Sequence, residues 1–267
     1  MSKNDKSAIL LIYTGGTIGM KEGPSGLVPF DFSQILDEVP ELQKFTFKID
    51  SYTFDPLIDS SDVEPAMWKE LATLIKEKYD AYDGFVVLHG TDTMAYSASA
   101  LSFMLDGLGK PVIFTGSQLP VGSLRTDGKE NLVSAIEVAS AKDARGRAMV
   151  PEVAIYFNSQ LIRGNRATKV NATAFDAFRS PNCPPLAEAG IRIRYNKTLI
   201  RYPSADAPLT IHTDLDTRVA ILVSGFSPRP PASVSGTGTF GYTSSFSRQR
   251  ELTCFPTLFR SASHLTF

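Results

Sequence analysis

The length, composition and charge of the chain exclude several classes of protein. It has 267 residues, 43% of them apolar and 21% charged, which is enough apolar material for a large packed core. The 27 basic and 28 acidic side chains almost cancel, so we expect neither a nucleic-acid partner nor a membrane-surface partner. Three scattered histidines and two distant cysteines predict no metal site and no disulfide framework, and we expect no cofactor.

The predicted elements alternate between strands and helices. Short apolar runs are typical of strands that are buried on both faces, whereas apolar residues at helical spacing predict helices. The predicted strands are Ala8–Tyr13, Gly84–Leu88, Pro111–Thr115 and Val153–Phe157. The predicted helices are Pro65–Tyr79, with Ser61 and Asp62 as possible caps, Thr93–Leu108 and Asn131–Ala141. This alternation indicates an α/β fold with a doubly wound parallel sheet.

The first apolar run also bears on the location of the protein. Ala8–Tyr13 has only six residues, which is too short for the core of a signal peptide or for a membrane span. No later run reaches membrane length. We therefore expect a cytoplasmic protein with no membrane partner.

Four polar loops follow the predicted strands. In doubly wound sheets, ligands bind outside the carboxyl ends of the strands, so these loops are expected to meet at one edge of the sheet. They are Thr14–Met20, His89–Thr93, Gly116–Asp127 and Asn158–Lys169. We expect the functional site at that edge.

The first loop contains the segment TGGTIG, residues 14–19. Its two glycines allow a sharp turn and a close approach of a ligand to the backbone, and the hydroxyl of Thr17 is a candidate nucleophile. A plain strand-end turn and the phosphate loop of a nucleotide-binding protein are alternatives at this point.

The second loop contains the segment HGTDT, residues 89–93. Thr91 and Asp92 are candidates for catalysis, although Thr or Asp in front of the predicted helix is also a good N-cap. His89 has no acidic neighbour, so we predict a hydrogen-bonded structural residue and not a base.

Two further segments complete the set of candidates. Lys169 follows the fourth predicted strand, where a lysine is ordinarily just solvated. It becomes a candidate base if it reaches Thr91, because a hydroxyl nucleophile needs an adjacent base. Asp59, Ser60 and Ser61 either cap the following helix or bind an amino acid, the carboxylate pairing with the ammonium and the hydroxyls with the carboxylate.

Taken together and in this order, the segments TGGTIG, LHGTDTM, GKPVIFTGSQLP and RGNRATK resemble those of bacterial L-asparaginases, with the cytoplasmic type I branch as the nearest match. The resemblance covers residues 8–222. It implies a larger flavodoxin-like α/β domain, a smaller carboxy-terminal α/β domain and a homodimeric or homotetrameric assembly. It also implies hydrolysis of L-asparagine to L-aspartate and ammonia through an acyl-enzyme.

The resemblance further implies roles for the candidate residues. The catalytic positions are Thr17, which corresponds to the primary nucleophile, and a second triad of Thr91, Asp92 and Lys169. The positions that hold the amino-acid head group are Asp59, Ser60 and Ser61. Thr168 corresponds to a position at which some type I enzymes bind an allosteric asparagine.

Two features depart from the family pattern. Leu27 stands where many relatives carry a tyrosine close to the nucleophile, and from Val223 onward Glu251 is the one acidic residue in a sequence rich in Ser, Thr, Phe and Pro. We therefore expect an asparaginase α/β domain over 1–195, a linker and the start of an incomplete or aberrant second domain over 196–222, and a tail outside the family pattern over 223–267. A shifted reading frame and a lineage-specific tail are the two explanations for the tail.

Three functional hypotheses follow. The chain is an active L-asparaginase, a glutaminase-asparaginase, or a catalytically impaired homologue that only binds the amino acid. The amidase subunit of a tRNA-dependent amidotransferase is disfavoured because the sequence has no basic patch for tRNA.

Overall fold

The computed structural model describes residues 7–23, 26–29, 35, 39–204 and 207–219, and gives the backbone alone for residues 22, 23, 26, 27 and 29. The strands are β1 Ala8–Tyr13, β2 Met20–Gly23, β3 Gly26–Pro29, β4 Lys48–Thr53, β5 Gly84–Leu88, β6 Leu105–Asp106, β7 Val112–Thr115, β8 Val153–Phe157, β9 Gln160–Arg163, β10 Thr168–Lys169, β11 Phe178–Arg179, β12 Ala187–Glu188, β13 Arg194–Tyr195 and β14 Thr210–Ile211. The helices are α1 Pro65–Lys78, α2 Met94–Met104 and α3 Gly128–Ser140.

Five parallel strands form one side of an eight-stranded sheet, with β4 at its edge. They lie side by side in the order β4-β1-β5-β7-β8. Counted along the chain, this order is 2-1-3-4-5, which is the flavodoxin-like arrangement. The prediction of a flavodoxin-like doubly wound α/β fold is confirmed.

The strands at the centre are apolar at successive positions because both faces of the sheet are covered. On one face, Leu10 of β1 packs in a core with Leu71 of α1 and Leu101 of α2. On the other face, Leu11 packs in a core with Ile136 of α3. Burying one such side chain stabilises the fold by about 2 kcal/mol.

Beyond β8 the sheet continues with antiparallel strands. Asn158 and Ser159 form the turn between β8 and β9 with φ values of 47° and 62°, and β9 runs back so that Arg163 lies opposite Ala154. The prediction of a single loop over Asn158–Lys169 is therefore wrong, since this range contains β9 and β10. β12 and β13 extend the sheet further on the same side.

Two helix boundaries differ from the prediction by more than one residue. α2 ends at Met104 and not at Leu108, because Leu105–Asp106 pair with β14. α3 begins at Gly128, three residues before the predicted Asn131.

The predicted caps of α1 are also corrected. Ser61 and Asp62 lie in a 3₁₀ turn that ends before the helix, and Glu64 is the N-cap residue without a side-chain hydrogen bond to the helix. Pro65 occupies the first helical position, where a missing N–H costs nothing. The Asp59–Asp62 segment is therefore not needed as a cap.

The chain divides into two units, Met1–Leu215 and Asp216–Phe267. In the described part of the second unit, Asp216 pairs with Arg218 at 3.0 Å, and both side chains are exposed. Residues 220–267 lie outside the described residues, so the predicted boundaries at 195 and 222 and the tail over 223–267 stay predictions. Within the described residues, no helix combines the length and the apolar character that crossing a membrane requires.

Candidate active site

The candidate site lies where the strand order of the sheet reverses. β1 and β5 are neighbours in the sheet. The chain continues from β1 to β4 on one side of this pair and from β5 to β7 on the other side, which leaves a crevice at the carboxyl ends of β1 and β5. At the start of the first loop, the Thr14 N–H donates to the carbonyl of Leu88 at 3.0 Å. The Ile58 N–H donates to the carbonyl of Thr14 at 2.9 Å and brings in the segment after β4. Three loops therefore meet at this crevice.

Two glycines let these loops touch at the level of the backbone. Gly16 has a φ of 93°, in the left-handed region that favours glycine. A Cβ on Gly16 would lie 2.6 Å from Gly90 Cα, and one on Gly90 would lie 2.5 Å from Ser60 Oγ. No side chain fits at either position, so the loops that carry Thr17 and Thr91 approach each other closely.

Lys169 contacts the second of these threonines directly. Its Nζ donates to Thr91 Oγ1 at 2.8 Å and to Asp92 Oδ1 at 2.7 Å. The Lys169 side chain is 16% exposed and the Asp92 side chain is 62% exposed, so the amine is enclosed while the carboxylate reaches solvent. The structure brings together the three residues that were predicted as a triad.

The route by which Lys169 arrives differs from the expected one. After β9 the chain packs against α2, where a Cβ on Gly164 would lie 3.0 Å from the carbonyl of Ala98. Lys169 in β10 then pairs with Phe178 in β11, and the ring of Phe178 packs against Phe157 with centroids 5.0 Å apart. A two-stranded ribbon outside the main sheet therefore positions the lysine.

Arg163, in the RGN segment ahead of this ribbon, is a structural residue. Its guanidinium is buried and pairs with Glu152 at 2.6 Å, and it also donates to the carbonyl of Leu199 at 2.6 Å. The hydrogen bond with Glu152 raises the pKa of Arg163. A buried and fully paired guanidinium fixes the start of the segment that leads to Lys169.

Thr17 begins a short 3₁₀ turn one residue after the contact between Gly16 and Gly90, and it is half-buried. Tyr13 is fully buried, and its hydroxyl donates to the carbonyl of Gly16 at 3.3 Å. Burial raises the pKa of Tyr13 to about 12. Tyr13 therefore supports the backbone that leads into Thr17.

Leu27, which is predicted to stand at the position of the family tyrosine, lies in β3 opposite Glu22 of β2. The side chain of Leu27 lies outside the described residues. What stands in place of the tyrosine therefore stays a prediction.

The predicted head-group segment lies against the Thr91 loop. Asp59 Oδ1 accepts from the N–H and from the hydroxyl of Ser61, both at 2.9 Å, and these bonds, the N–H bond first, hold the pKa of Asp59 below its usual value. Ser60 is buried against Gly90, and its carbonyl accepts from Thr93 Oγ1 at 2.6 Å. The segment therefore places a carboxylate, whose ionised form is stabilised by hydrogen bonds, at the edge of the crevice.

Thr168 lies on the ribbon that carries Lys169. It is exposed and pairs with Arg179 across β10 and β11. Because neighbouring residues of a strand point to opposite faces, the side chains of Thr168 and Lys169 leave the ribbon on different sides.

His89 is hydrogen-bonded and buried, as predicted. Its Nδ1 lies 2.7 Å from the carbonyl of Gly90 and its Nε2 lies 3.0 Å from Ser97 Oγ. Burial lowers the pKa of His89 to about 4. Ser97 and Trp68, which continue this series of hydrogen bonds, were not among the predicted residues. Trp68 Nε1 donates to Ser97 Oγ at 2.9 Å.

Gln118 in the third loop was also not among the predicted residues. Its side-chain amide donates to the carbonyls of Ala172 and Ala174 at 3.3 and 3.0 Å, and its N–H donates to Asp127 at 3.0 Å. Gln118 thereby ties the third loop to the segment that follows Lys169. A lone polar residue in a polar loop gives no signal of such a link.

The groups gathered at the crevice suit nucleophilic catalysis by a hydroxyl. The Thr91 hydroxyl contacts an amine, which in turn contacts a carboxylate, the arrangement by which weak nucleophiles are activated. No cluster of three or more His, Cys, Asp or Glu side chains in the described ranges is placed to hold a metal ion.

Comparisons with known proteins identify the family. The model of the asparaginase amino-terminal domain matches residues 8–201. The chain is 47% identical over 239 residues to L-asparaginase 1 of Escherichia coli K12, an alignment that covers 84% of this chain and 68% of that protein. It is 43% identical over 237 residues to the human 60 kDa lysophospholipase, with 80% of this chain and 40% of that protein covered.

A solved structure agrees with these matches. The crystal structure of L-asparaginase I from Vibrio cholerae aligns with a TM-score of 0.72 and 42% identity, over 83% of this chain and 66% of that chain. The chain thus spans about two thirds of the length of its bacterial relatives. The prediction of an amidohydrolase related to type I asparaginases is confirmed at the level of the family, and the chain belongs to the asparaginase family.

Proposed function

We propose that the chain hydrolyses the side-chain amide of L-asparagine to give L-aspartate and ammonia. The observation that carries this proposal is the contact of Lys169 with Thr91 and Asp92, at the crevice in which the Thr17 loop also lies. Membership of the asparaginase family supports the same reaction.

The first half of the reaction forms an ester on Thr17. The hydroxyl oxygen adds to the amide carbon, and its proton passes through Thr91 to the Lys169 amine, where Asp92 stabilises the ammonium. Backbone N–H groups of the turns hold the oxyanion, an interaction typically worth about 3 kcal/mol. The carbon–nitrogen bond then breaks, and the leaving nitrogen takes a proton from Lys169 and departs as ammonia.

The second half releases the product. A water molecule adds to the ester carbon, and Thr91 and Lys169 accept its proton as they did in the first half. The carbon–oxygen bond to Thr17 breaks, the proton returns to that oxygen, and aspartate leaves. Thr91 serves both halves because its hydroxyl is the one in contact with the amine.

The head group of the substrate binds to the segment after β4 in this proposal. The Asp59 carboxylate pairs with the α-ammonium, and the hydroxyls of Ser60 and Ser61 bind the α-carboxylate. The lowered pKa of Asp59 supports its part, because the carboxylate stays ionised under the conditions in which the ammonium is charged. Thr168 is proposed to bind a regulatory asparagine outside the crevice.

The resemblance to type I enzymes also supports a cytoplasmic location and a homodimeric or homotetrameric assembly. Cell fractionation and light scattering of the purified chain test these two proposals. A periplasmic or secreted pool contradicts the first, and a monomer at working concentration contradicts the second.

Ammonia release by the purified full-length chain tests the proposed reaction. We expect turnover of L-asparagine, and Thr17→Ala and Thr91→Ala each to reduce kcat by about 1000-fold or more with a much smaller change in KM. Thr73→Ala is the matched control, because Thr73 is half-buried on α1, away from the site residues, and its hydroxyl donates to the carbonyl of Lys69 within that helix. Trapping of an aspartyl ester on Thr17, detected by mass spectrometry after acid quench, tests the covalent step.

The outcomes separate the candidate functions. Faster turnover of L-glutamine favours a glutaminase-asparaginase, and lysophosphatidylcholine is included because the human relative bears the name of a lysophospholipase. Binding of L-asparagine without ammonia release contradicts the enzyme and favours the impaired homologue that only binds the amino acid.

A further inference from the structure

A hydrogen-bonded chain of three side chains, two of them buried and Trp68 half-buried, leads to the Thr91 loop. Trp68 Nε1 donates to Ser97 Oγ at 2.9 Å, Ser97 Oγ lies 3.0 Å from His89 Nε2, and His89 Nδ1 lies 2.7 Å from the carbonyl oxygen of Gly90. His89 and Ser97 are 1% and 0% exposed. The proposed reaction uses none of the three side chains, and none of them is in contact with Lys169, Thr91 or Asp92 among the hydrogen bonds of the described residues.

The contact with Gly90 fixes which ring nitrogen of His89 carries the proton. A carbonyl oxygen can only accept, so a nitrogen 2.7 Å away from it has to be the donor, and Nδ1 therefore carries a hydrogen. Full burial keeps the imidazole neutral, which leaves one proton for the two nitrogens. Nε2 is then an acceptor, and the hydroxyl of Ser97 donates to it.

The indole of Trp68 agrees with a Ser97 hydroxyl that donates to His89. Trp68 Nε1 is a donor only, so it occupies an acceptor position of the Ser97 hydroxyl. The hydroxyl proton then points along the chain to His89 Nε2. Every hydrogen bond from Trp68 to the Gly90 carbonyl runs in one direction.

The end of the chain sets the orientation of a peptide unit in the crevice. In a trans peptide the C=O and the N–H point in opposite directions, so a Gly90 carbonyl held towards His89 turns the Thr91 N–H away from the core. Gly90 has no side chain of its own to hold this unit, and it is packed against Ser60 and Gly16. Among the described residues, no acceptor takes the Thr91 N–H, as is expected of a donor that is kept for a substrate oxygen.

We propose that Trp68, Ser97 and His89 act as positioning residues that orient the Gly90–Thr91 peptide, so that the Thr91 N–H stabilises the oxyanion of the amide hydrolysis. This inference rests on the proposed function for the identity of the oxyanion. It adds that the donor depends on the tautomer of a buried histidine two residues away. The effect falls on the transition state, because the oxyanion exists only there.

Two substitutions at position 89 separate positioning from bulk. In His89→Asn the side-chain amide can take the place of Nδ1–H and still donate to the Gly90 carbonyl, whereas in His89→Gln the amide lies at the place of Nε2. We expect His89→Gln to lower kcat about 100-fold with KM within about twofold, the loss typical of one oxyanion donor. His89→Asn is expected to retain kcat within about tenfold of the wild type, and melting temperatures check that both variants fold.

Nuclear magnetic resonance tests the orientation without any need for turnover. In the ¹⁵N-labelled full-length chain we expect His89 in the Nδ1–H form, and a Thr91 amide resonance that shifts in His89→Gln but keeps its position in His89→Asn. Ser97→Ala is expected to shift it in the same direction as His89→Gln, whereas the matched control Ser102→Ala on the same helix, whose hydroxyl bonds to the carbonyl of Ala98, leaves it unchanged.

Turnover and the amide resonances distinguish failure of the proposed reaction from failure of the positioning role. Loss of turnover in every protein, including the wild type, refutes the proposed reaction, and the resonances still decide the orientation. An Nε2–H tautomer, or equal kcat in folded His89→Gln and wild type, overturns the positioning role even if the chain is an asparaginase. Equal losses in the Asn and Gln variants also overturn it, because they show that only the volume of the histidine matters.

Discussion

The two threonine loops of the crevice follow neighbouring parallel strands and look alike in sequence, but they are held in different ways. The Thr91 loop is held by polar side chains, by Lys169 from the ribbon of β10 and β11 and by its own first residue, His89, which is hydrogen-bonded to Ser97 of α2. The Thr17 loop is held by backbone contacts, by the phenol of Tyr13 and by the exclusion of any side chain at Gly16. One threonine is fixed by polar partners and the other by close packing of the backbone, so the two loops are expected to respond differently to substitution and to pH.

Removing the amine tests the polar half of the comparison, with the largest expected effect. Lys169→Met removes the group that accepts the proton, and we expect kcat for ammonia release to fall about 1000-fold. Lys169→Arg keeps a cation beside Asp92, but a guanidinium does not exchange its proton, so it should lose activity as well. Lys197→Met, at an exposed lysine, is the control. Wild-type turnover in Lys169→Arg contradicts the role as a proton acceptor.

Changing the pH distinguishes the supports of the two loops. Burial lowers the pKa of His89 from an ordinary 6.5 to about 4, so between these pH values the unfolded chain binds a proton that the folded chain does not. The free energy of unfolding therefore falls as the pH drops from 6.5 to 4, by on the order of 3 kcal/mol from this residue. Tyr13 holds its pKa near 12 against 10.0, so the folded chain keeps its proton and stability falls as pH rises from 10 to 12.

Urea denaturation across pH measures these two windows. His89→Asn is expected to flatten the acid limb and Tyr13→Phe the alkaline limb, whereas His212→Asn, at an exposed histidine, leaves both unchanged. Identical pH profiles in wild type and His89→Asn rule out a buried neutral histidine beneath the Thr91 loop.

A methyl group on Gly16 tests the close packing of the Thr17 loop. Gly16→Ala forces a Cβ to within 2.6 Å of the Gly90 backbone, and Gly146→Ala adds a Cβ with nothing within 4 Å at a similar φ of 77°. The control Gly146→Ala carries only the cost of an alanine in the left-handed backbone region. We therefore expect Gly16→Ala to lower the free energy of unfolding by about 2 kcal/mol more than the control does, the usual cost of overpacking. Calorimetric melting measures the difference, and equal losses show that the two loops are not in contact.

The smallest effect concerns the rim of the crevice, which neither loop controls. Asp59→Asn removes the charge that is proposed to hold the substrate ammonium, and we expect KM for L-asparagine to rise about tenfold with little change in kcat. Asp62→Asn, in the 3₁₀ turn that Asp59 caps, is the control. A fall in kcat with KM unchanged assigns Asp59 to the chemistry and contradicts a role in head-group binding.

Local pattern predicted the parts of the fold that local physics decides. The bounds of β1, β5 and β8 follow from apolar runs that both cores need, and the structure has them at the predicted residues. The end of α2 was not predictable from its own residues, because the pairing of Leu105–Asp106 with Thr210–Ile211 overrides the helical pattern. Partners that lie about a hundred residues away leave no local signal.

The site divides in the same way. The threonine loops were predictable because the carboxyl ends of parallel strands gather ligand-binding loops. The contact of Lys169 with Thr91 required the antiparallel return of β9 and the ribbon after it, which strand rules for parallel sheets do not cover. The series from Trp68 to His89 was missed because a tryptophan and a serine on apolar helix faces read as ordinary core residues.

The ribbon of β10 and β11 has a consequence for the order in which the protein is made. The two threonine loops are complete once residue 93, shortly after β5, has been synthesised, whereas Lys169 is held in place only after Phe178 has left the ribosome and paired with it. A nascent chain that ends before β10 therefore carries both hydroxyls without the amine that contacts Thr91. Synthesis therefore places both hydroxyl groups in the chain before the amine that the proposed hydrolysis needs.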